Sequence, residues 1–237
     1  MSWEAAVGRL QADPAQQALV QACFYDDPLL QAAQRYRASC EWMAVRKLIG
    51  EASGAALDVG AGRGIASFAL ARDGWKVTAL EPDPSNVVGA GAIRGLARDA
   101  GLAIEVTETW GEQLPFSKAS FALVHCRQVL HHARDLKQLC GELARVLAPG
   151  GLFLATREHV ISRPEDLPAF LSSHPLHPLY GASTLTCCRS TLPQSRGPDC
   201  AWSERSIPTS RISTATPSRS PISSGAGRVG CTFPVRP

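Results

Sequence analysis

The sequence predicts an α/β protein, a doubly wound, mostly parallel sheet in three layers, with a helical extension ahead of it. Three observations predict it. Between Ala55 and Thr156, short apolar runs of strand length alternate with amphipathic runs of helix length, which requires crossover connections and therefore parallel strands. The first of these runs, Ala55–Val59, is apolar but for Asp58, as a strand buried on both faces should be. It leads into a turn with glycine at 60, 62 and 64, where the chain reverses sharply and a ligand can come close to the backbone.

Composition narrows the possibilities. A chain of 237 residues that is 45% hydrophobic suits one α/β domain with additions. No apolar run reaches about 18 residues, so no membrane span is expected. The N-terminus carries Glu4 and Asp13 and lacks a basic region followed by an apolar core, so no secretory signal is expected and a cytoplasmic location is the default. The tail from Ala182 holds seven Arg against Asp199 and Glu204, so the net charge of +3 resides there and residues 1–181 are slightly acidic. The body therefore has no nucleic-acid footprint. Of the eight cysteines, Cys23, Cys40, Cys126 and Cys140 sit in apolar or helical contexts and read as buried thiols. There is no Cys-x-x-Cys pair, and adjacent Cys187 and Cys188 lack zinc-like spacing, so no metal site is expected.

Taken in order, residues 3–22 have helical composition, with Asp13-Pro14 as cap and first turn of a helix running to Cys23. Asp26-Asp27-Pro28 repeats that signal before a helix at Leu29–Tyr36, which resumes at Ser39–Ile49 and stops at Gly50. These helices form either a lid over a ligand or a structural cap. A lid would turn Tyr25, Tyr36, Arg37 and Trp42 toward the site; the cap is the simpler reading. After the glycine turn, Ile65–Arg72 has helical spacing, with Ile65, Phe68 and Ala69 on one side. A second strand, Val77–Leu80, ends on Glu81, and an acid there can accept hydrogen bonds from both hydroxyls of a ribose. Asn86–Ala100 reads as a helix weakened by Gly89, Gly91 and Gly95, each costing about 1 kcal/mol relative to Ala. Ala103–Thr107 is a short, partly polar strand suited to a sheet edge. A loop at 110–116, a fourth strand at Phe121–Cys126 and a helix at Asp135–Leu147 follow. That helix turns Leu136, Leu139, Leu143 and Val146 inward. Pro149-Gly150-Gly151 ends it, and Leu152–Thr156 is the fifth strand.

These motifs, in this order, resemble the class I S-adenosylmethionine-dependent methyltransferases, in particular the methyltransferase-type-11 group. The turn resembles that family's Asp-x-Gly-x-Gly-x-Gly signature at Asp58, Gly60, Gly62 and Gly64, and Glu81 matches its ribose-binding acid. Gly111-Glu112 and Leu114-Pro115-Phe116 resemble the loop that holds the adenine. The segment Cys126–His132 looks like the one after strand four, and 147–152 like a Leu-x-Pro-Gly-Gly turn. The resemblance implies a Rossmann-like sheet and S-adenosyl-L-methionine as cofactor, with Ala61, Pro82, Cys126 and Arg127 also in contact with it. It also divides the chain into a helical lid or cap at 1–50, a cofactor-binding methyltransferase domain at 51–181 and a tail at 182–237.

The chemistry agrees with these residues. Amides of the turn and the helix N-terminus suit a carboxylate, and Asp58 puts negative charge near a sulfonium and an amino group, or else caps the turn. Leu80 and Pro82 can pack near an adenine. The rival cofactor, NAD, wants Gly-x-Gly-x-x-Gly, but from Gly60 the third small residue falls on Ile65. A second rival is a cofactor-binding protein without catalysis. Methyl transfer from a sulfonium needs alignment and exclusion of water, and a base only for a protonated nucleophile. His131 is the candidate for substrate contact or base, His132 for packing, and Glu158 and His159 are further candidates. Arg127 pairs either with an acidic substrate or with a neighbouring carboxylate. The acceptor is expected to be a small molecule.

The tail changes character. Ala182–Pro237 holds eleven Ser and seven each of Thr, Pro and Arg, with no amphipathic segment, a composition that reads as disorder. The resembled fold uses two more strands after the fifth, and the tail offers no evident pair, so the final strand hairpin is expected to be missing. Shifted by one base, with the unconstrained base chosen freely, Ala182–Trp202 becomes a capped helix, a Gly stop and the start of a strand, so the tail is read as out of frame.

Overall fold

The computed structural model describes residues 2–158 and, beyond them, 160–161, 164–166, 168–169, 186–187, 203–204 and 231–234. His159 and most of the tail lie outside the described residues, and with them the expectations of a disordered, out-of-frame segment.

Helix α1 (Trp3–Ala12) starts at Ser2, whose hydroxyl accepts from the Ala5 N–H. Asp13 caps a short 3-10 turn at Pro14–Gln16, and α2 (Gln17–Ala22) follows. Helices α3 (Leu29–Arg37) and α4 (Cys40–Ile49) form the rest of the extension, with Ser39 capping α4 through the Trp42 N–H. Tyr36 and Trp42 are fully buried in the core rather than turned to a site. The Trp42 indole N–H donates to Asp73 at 2.8 Å, and Arg37 and Arg46 pair with the same carboxylate. Helices α3 and α4 thus pack on one face of the sheet, while Leu10 and Val20 of α1 and α2 form a small cluster of their own. Tyr25 is the exception among the four residues that a lid would turn toward the site. It meets Trp3 edge-on at 5.9 Å and lies close enough to Arg127 and Arg63 for their charges to oppose the upward push of burial on its hydroxyl.

The sheet is built from β1 (Ala55–Val59), β2 (Lys76–Leu80), β3 (Ile104–Thr107), β4 (Phe121–Arg127) and β5 (Leu147–Thr156), all parallel. Helices α5 (Ile65–Arg72), α6 (Ala90–Ala100) and α7 (Leu136–Val146) make the crossovers. Side chains alternate between two cores. Ala56, Val77, Leu123 and Leu154 face α3–α6, while Leu57, Val59, Val124, Cys126 and Ala155 face α7. That is the three-layer α/β/α arrangement, with β3 at the edge as its partly polar sequence predicts.

Some boundaries differ. Helix α6 starts at Ala90, not Asn86, because the Ser85 hydroxyl takes the Val87 and Val88 N–H groups and closes a separate turn first. A Cβ at Gly89 would stand 2.1 Å from the Asp83 carbonyl oxygen, so the chain folds back tightly there. Strand β5 begins at Leu147, because Pro149-Gly150-Gly151 is taken into the strand as an irregular stretch instead of a separate turn. Among the four body cysteines only Cys126 is buried; Cys40 and Cys140 are exposed because they fall on the outer faces of α4 and α7, and Cys23 is half-buried.

The expectation that the final hairpin is missing is overturned. Strand β6 (Val160–Ile161) pairs with β7 (Thr186–Cys187) in a separate two-stranded sheet. Strands β8 (Ser203–Glu204) and β9 (Cys231–Pro234) join the main sheet, giving the order β3-β2-β1-β4-β5-β9-β8, with β9 antiparallel to β5 and to β8. The physical reason is the row of N–H and C=O groups that β5 would leave unpaired, which the backbone of Cys231–Pro234 satisfies. The strand order reverses between β1 and β4, and in open α/β sheets ligands bind outside the carboxyl ends at such a reversal.

Candidate functional site

The carboxyl ends of β1 and β2 are locked together by the glycine turn. Gly60 has φ +59°, and a Cβ there would stand 2.7 Å from a methyl of Val129, so only glycine admits both the left-handed backbone and the loop after β4. Gly62 has φ +55° and nothing within 4 Å of where a Cβ would be, so the turn is open on that side. Gly64, at φ +80°, precedes α5, and no side chain caps that helix, which leaves its first-turn amides for an anion or solvent. The Ala61 N–H donates to the Leu80 carbonyl at 3.0 Å, tying the turn to β2.

Glu81 clasps this turn. Its carboxylate accepts from the Gly62 N–H at 2.7 Å and from the Asp83 N–H at 3.0 Å, one to each oxygen. Burial pushes its pKa above the ordinary value of 4.5, against those two N–H groups, which hold it down. Each oxygen keeps a further lone pair, the capacity needed to bind two hydroxyls. Pro82 is half-buried beside it. Leu80 belongs to the core, so its expected place by an adenine is not borne out: alternation along β2 turns it inward.

Asp58 is committed beneath the turn. It is 1% exposed and accepts from the Ser67 hydroxyl at 2.6 Å, while its other oxygen lies 2.9 Å from His125 Nδ1. It caps no turn amide. His125 is fully buried, and its Nε2 is 3.3 Å from the Thr156 hydroxyl, so a polar chain runs under the site from α5 across β1 and β4 to β5. Cys126 is 0% exposed with its side chain in the α7-facing core, so of the expected contacts it can offer only backbone.

At the ends of β4 and β5 the structure brings together residues far apart in sequence. Arg127 lies against Glu41 of α4 through two hydrogen bonds, of 2.7 and 3.3 Å, and Arg157 donates to the same carboxylate at 3.0 Å. Arg127 therefore takes the neighbouring carboxylate of the two partners weighed for it. Its guanidinium also lies 5.2 Å from the Tyr36 ring and 5.8 Å from the Phe24 ring. Burial pushes Glu41 up, but Arg127 and Arg157 outweigh it and hold its carboxyl below 4.5. Phe24, Gln128 and Arg157, none of them glycine, all have positive φ, of 61°, 59° and 54°. Backbone in that region is strained for a non-glycine residue, and Ala119, away from this cluster, has it too, at 58°.

Glu158 follows Arg157. It accepts from the Val129 N–H at 2.8 Å and lies 3.0 Å from His131 Nδ1. Burial raises its pKa, yet His131 and the Val129 N–H lower it further, and it stays below 4.5. His131 is 4% exposed and packs on His132, ring centroids 4.1 Å apart.

Two more contacts frame the site. Arg63, inside the glycine turn, is 6% exposed and donates to the Phe24 and Asp26 carbonyls and to the Asp27 carboxylate, joining the turn to the extension. In the loop after β3, a Cβ at Gly111 would meet Leu139 at 2.5 Å. Glu112 accepts the Arg134 N–H at 2.9 Å, and the exposed Trp110 stacks with Arg134 at 4.0 Å. The sequence reading missed Glu41, Arg63, His125 and Arg157. Glu41 reads as an ordinary first-turn acid of α4, and only its pairing across 86 residues reveals more. An open surface cleft of about 760 Å³, lined by Arg46, Lys47, Asp73 and Gly74, holds none of these residues. Among the described residues, no helix is long and apolar enough to cross a membrane, and no cluster of His, Cys, Asp and Glu could hold a metal.

Fold and site together define a nucleoside-binding, Rossmann-like α/β domain. Residues 57–155 match the family described as a methyltransferase domain. The chain is 39% identical over 102 residues to ubiquinone biosynthesis O-methyltransferase of Methylocella silvestris, covering 42% of this chain and 38% of that protein. It is 36% identical over 105 residues to dimethylglycine N-methyltransferase of Parasynechococcus marenigrum, covering 44% and 37%. The chain thus spans under two fifths of the length of these curated relatives. In fold it is similar to PH0226 of Pyrococcus horikoshii, with TM-score 0.61 at 16% identity over 89% of this chain and 94% of that one. It is also similar to YcgJ of Bacillus subtilis, with TM-score 0.56 at 18% identity over 72% and 70%.

Proposed function

We propose that this chain is an S-adenosylmethionine-dependent methyltransferase acting on a small-molecule acceptor. The observation that carries the reading is the open glycine turn at 60–64, clasped by Glu81 and followed by an uncapped helix, within the matched domain. The residues present fit the cofactor. First-turn amides of α5 suit its carboxylate, and Glu81 suits its ribose hydroxyls. The space beside Gly62 admits it, and Gly111 with Glu112 shapes the neighbouring loop. Asp58 contributes negative charge from below, held by Ser67 and His125. Arg127 and Cys126 shape the wall without side-chain donation to the cofactor.

When bound, the cofactor supplies a methyl group on a sulfonium, an electrophile that needs alignment more than activation. His131 supplies the base. The ionised Glu158 can only accept, so it holds the proton on His131 Nδ1 and orients the ring, and His131 is the residue that would take the proton of a hydroxyl or ammonium acceptor. Residues 1–50 serve as a structural cap and 51–181 as the catalytic domain. The slightly acidic body argues against a nucleic-acid acceptor, and the two relatives' names, for a ubiquinone biosynthesis and a dimethylglycine enzyme, support a small one.

Titration calorimetry of the full chain with S-adenosylmethionine tests the reading, and tritiated-methyl transfer to a cell extract tests catalysis. Binding of NAD with no binding of S-adenosylmethionine would refute the assignment.

A further inference from the structure

Four arginines gather at the carboxyl ends of β4 and β5 and the adjoining extension: Arg35, Arg63, Arg127 and Arg157. Each acid near them has a distinct commitment. Asp26 pairs with Arg35, and Asp27 with Arg63. Glu158 is held by the His131 ring and by backbone N–H groups of Val129 and Leu130. Glu41 remains, and it is the shared counter-ion of two arginines. A single carboxylate thus serves two guanidinium groups, and neither has it to itself. Arg127 is the more enclosed of the two, with side-chain exposure of 12%, two bonds to Glu41 and the Phe24 and Tyr36 rings against it. Arg157 is 32% exposed, and among the described residues it spends one of its five donors, on Glu41.

The placement of Arg157 adds to this. Its backbone lies at φ +54°, a conformation that costs about 1–3 kcal/mol for a non-glycine residue and persists only where the surroundings enforce it. Gln128, at the end of the neighbouring strand, is strained in the same way, and its N–H donates to the Thr156 carbonyl at 3.0 Å. The two strand ends are thus fixed against one another. Arg157 precedes Glu158 directly, so the guanidinium and the acid that orients His131 leave the same end of β5. The reversal between β1 and β4 puts the cofactor over those strands, and β5 lies on the far side of β4 from β1.

We infer that Arg157, backed by Arg127 and Glu41, is the recognition site for an anionic group on the acceptor, and that the acceptor is a small molecule bearing a carboxylate. The inference rests on the methyltransferase reading and adds the chemical class of the second substrate. The guanidinium fork matches a carboxylate in two parallel hydrogen bonds. Glu41 keeps the fork extended before the acceptor arrives, and Arg127 shares that carboxylate with Arg157.

The experiment uses the full chain loaded with S-adenosylhomocysteine and two calorimetric probes, 3,4-dihydroxybenzoate and its methyl ester. The acid should bind at least about tenfold more tightly than the ester, the worth of one charged hydrogen-bonded contact. Arg157→Gln should abolish that preference while still binding S-adenosylhomocysteine, which shows that the variant is folded. Arg157→Lys should restore part of it. Equal binding of acid and ester, no binding of the acid, or an acid preference that survives Arg157→Gln would each overturn the inference. Failure of the wild-type chain to bind S-adenosylhomocysteine would instead overturn the methyltransferase reading beneath it.

Discussion

Glu81 serves the turn and the proposed ribose site with the same two oxygens, and a substitution that separates the two roles is the sharpest test of the site. Glu81→Ala removes the acceptor for the Gly62 and Asp83 N–H groups, whose bonds are 2.7 and 3.0 Å long. Each amide left unpaired costs about 1–3 kcal/mol, so this variant should lose stability and affinity together. Glu81→Gln is different. Its amide oxygen still accepts one of the two N–H groups, the NH2 that replaces the other oxygen leaves the second without an acceptor, and the buried negative charge is gone. The native carboxylate has a raised pKa, first because of its burial, so its ionisation works against the folded state. Its contribution is most favourable below the unfolded value of 4.5 and is lost as pH rises through the raised folded value. At neutral pH the relief of the buried charge and the loss of one turn hydrogen bond oppose each other, so Glu81→Gln should lose clearly less stability in urea than Glu81→Ala does. Affinity should behave otherwise. Hydrogen bonds to a charged acceptor are worth about 1.5–3 kcal/mol each, so losing the charge should weaken S-adenosylhomocysteine binding by about tenfold or more. Calorimetry and urea unfolding on the same preparation give both numbers. If Glu81→Gln binds as the wild type does, Glu81 is a structural clasp only and the ribose is placed wrongly.

Gly60→Ala should be poorly tolerated, because a 2.7 Å approach to Val129 adds to a left-handed φ; thermal melting should show a loss of about 1–3 kcal/mol, and an unchanged melt would refute the interlock. Removing Glu41 strands two arginines, one of them well buried, so Glu41→Ala should cost about 3–5 kcal/mol by urea unfolding. The native pH profile should report the same group. Glu41 and Glu158 have lowered folded pKa values, so their stabilisation is present above 4.5 and is lost as pH falls through the folded values; a profile flat down to strong acid would contradict this. Glu158→Gln should lower kcat with little change in KM and should alter the acid limb of the pH–rate profile, since it acts through His131, whereas His131→Ala should cost about 10²–10⁴-fold in kcat. Equal, near-native kcat in both would remove the base from the mechanism.

Much of the fold was legible because its signals are local. Strand β1 and helix α5 fall where apolar runs and helical spacing put them, and the caps at Asp13, Ser39 and Asp135 are simple side-chain oxygens ahead of helical runs. Helix α6 was harder. The Ser85 turn competes with the first helical turn, and composition does not rank the two. The strands of the tail were illegible for another reason. Ser203–Glu204 and Cys231–Pro234 are too short to show a period, and β9 is specified by the open edge of β5 rather than by its own residues. In the site, Gly60, Gly62, Gly64 and Glu81 could be read from spacing alone. Asp58 could be placed but not oriented, since its partner is His125 on another strand, 67 residues away. The cluster of Glu41, Arg127 and Arg157 was invisible, because nothing in a sequence announces that a helix from an extension delivers a counter-ion to two strand ends.

The tether at Arg63 also orders events in time. A ribosome releases residues 24–27 long before residue 63, and Glu41 long before Arg127 and Arg157. Until those arginines emerge, the first fifty residues have neither the guanidinium that holds their 24–27 bend nor the pair that neutralises Glu41. The earliest part of the chain to be made is thus among the last to be secured, and a nascent chain paused before residue 157 carries a helical segment still awaiting its anchors.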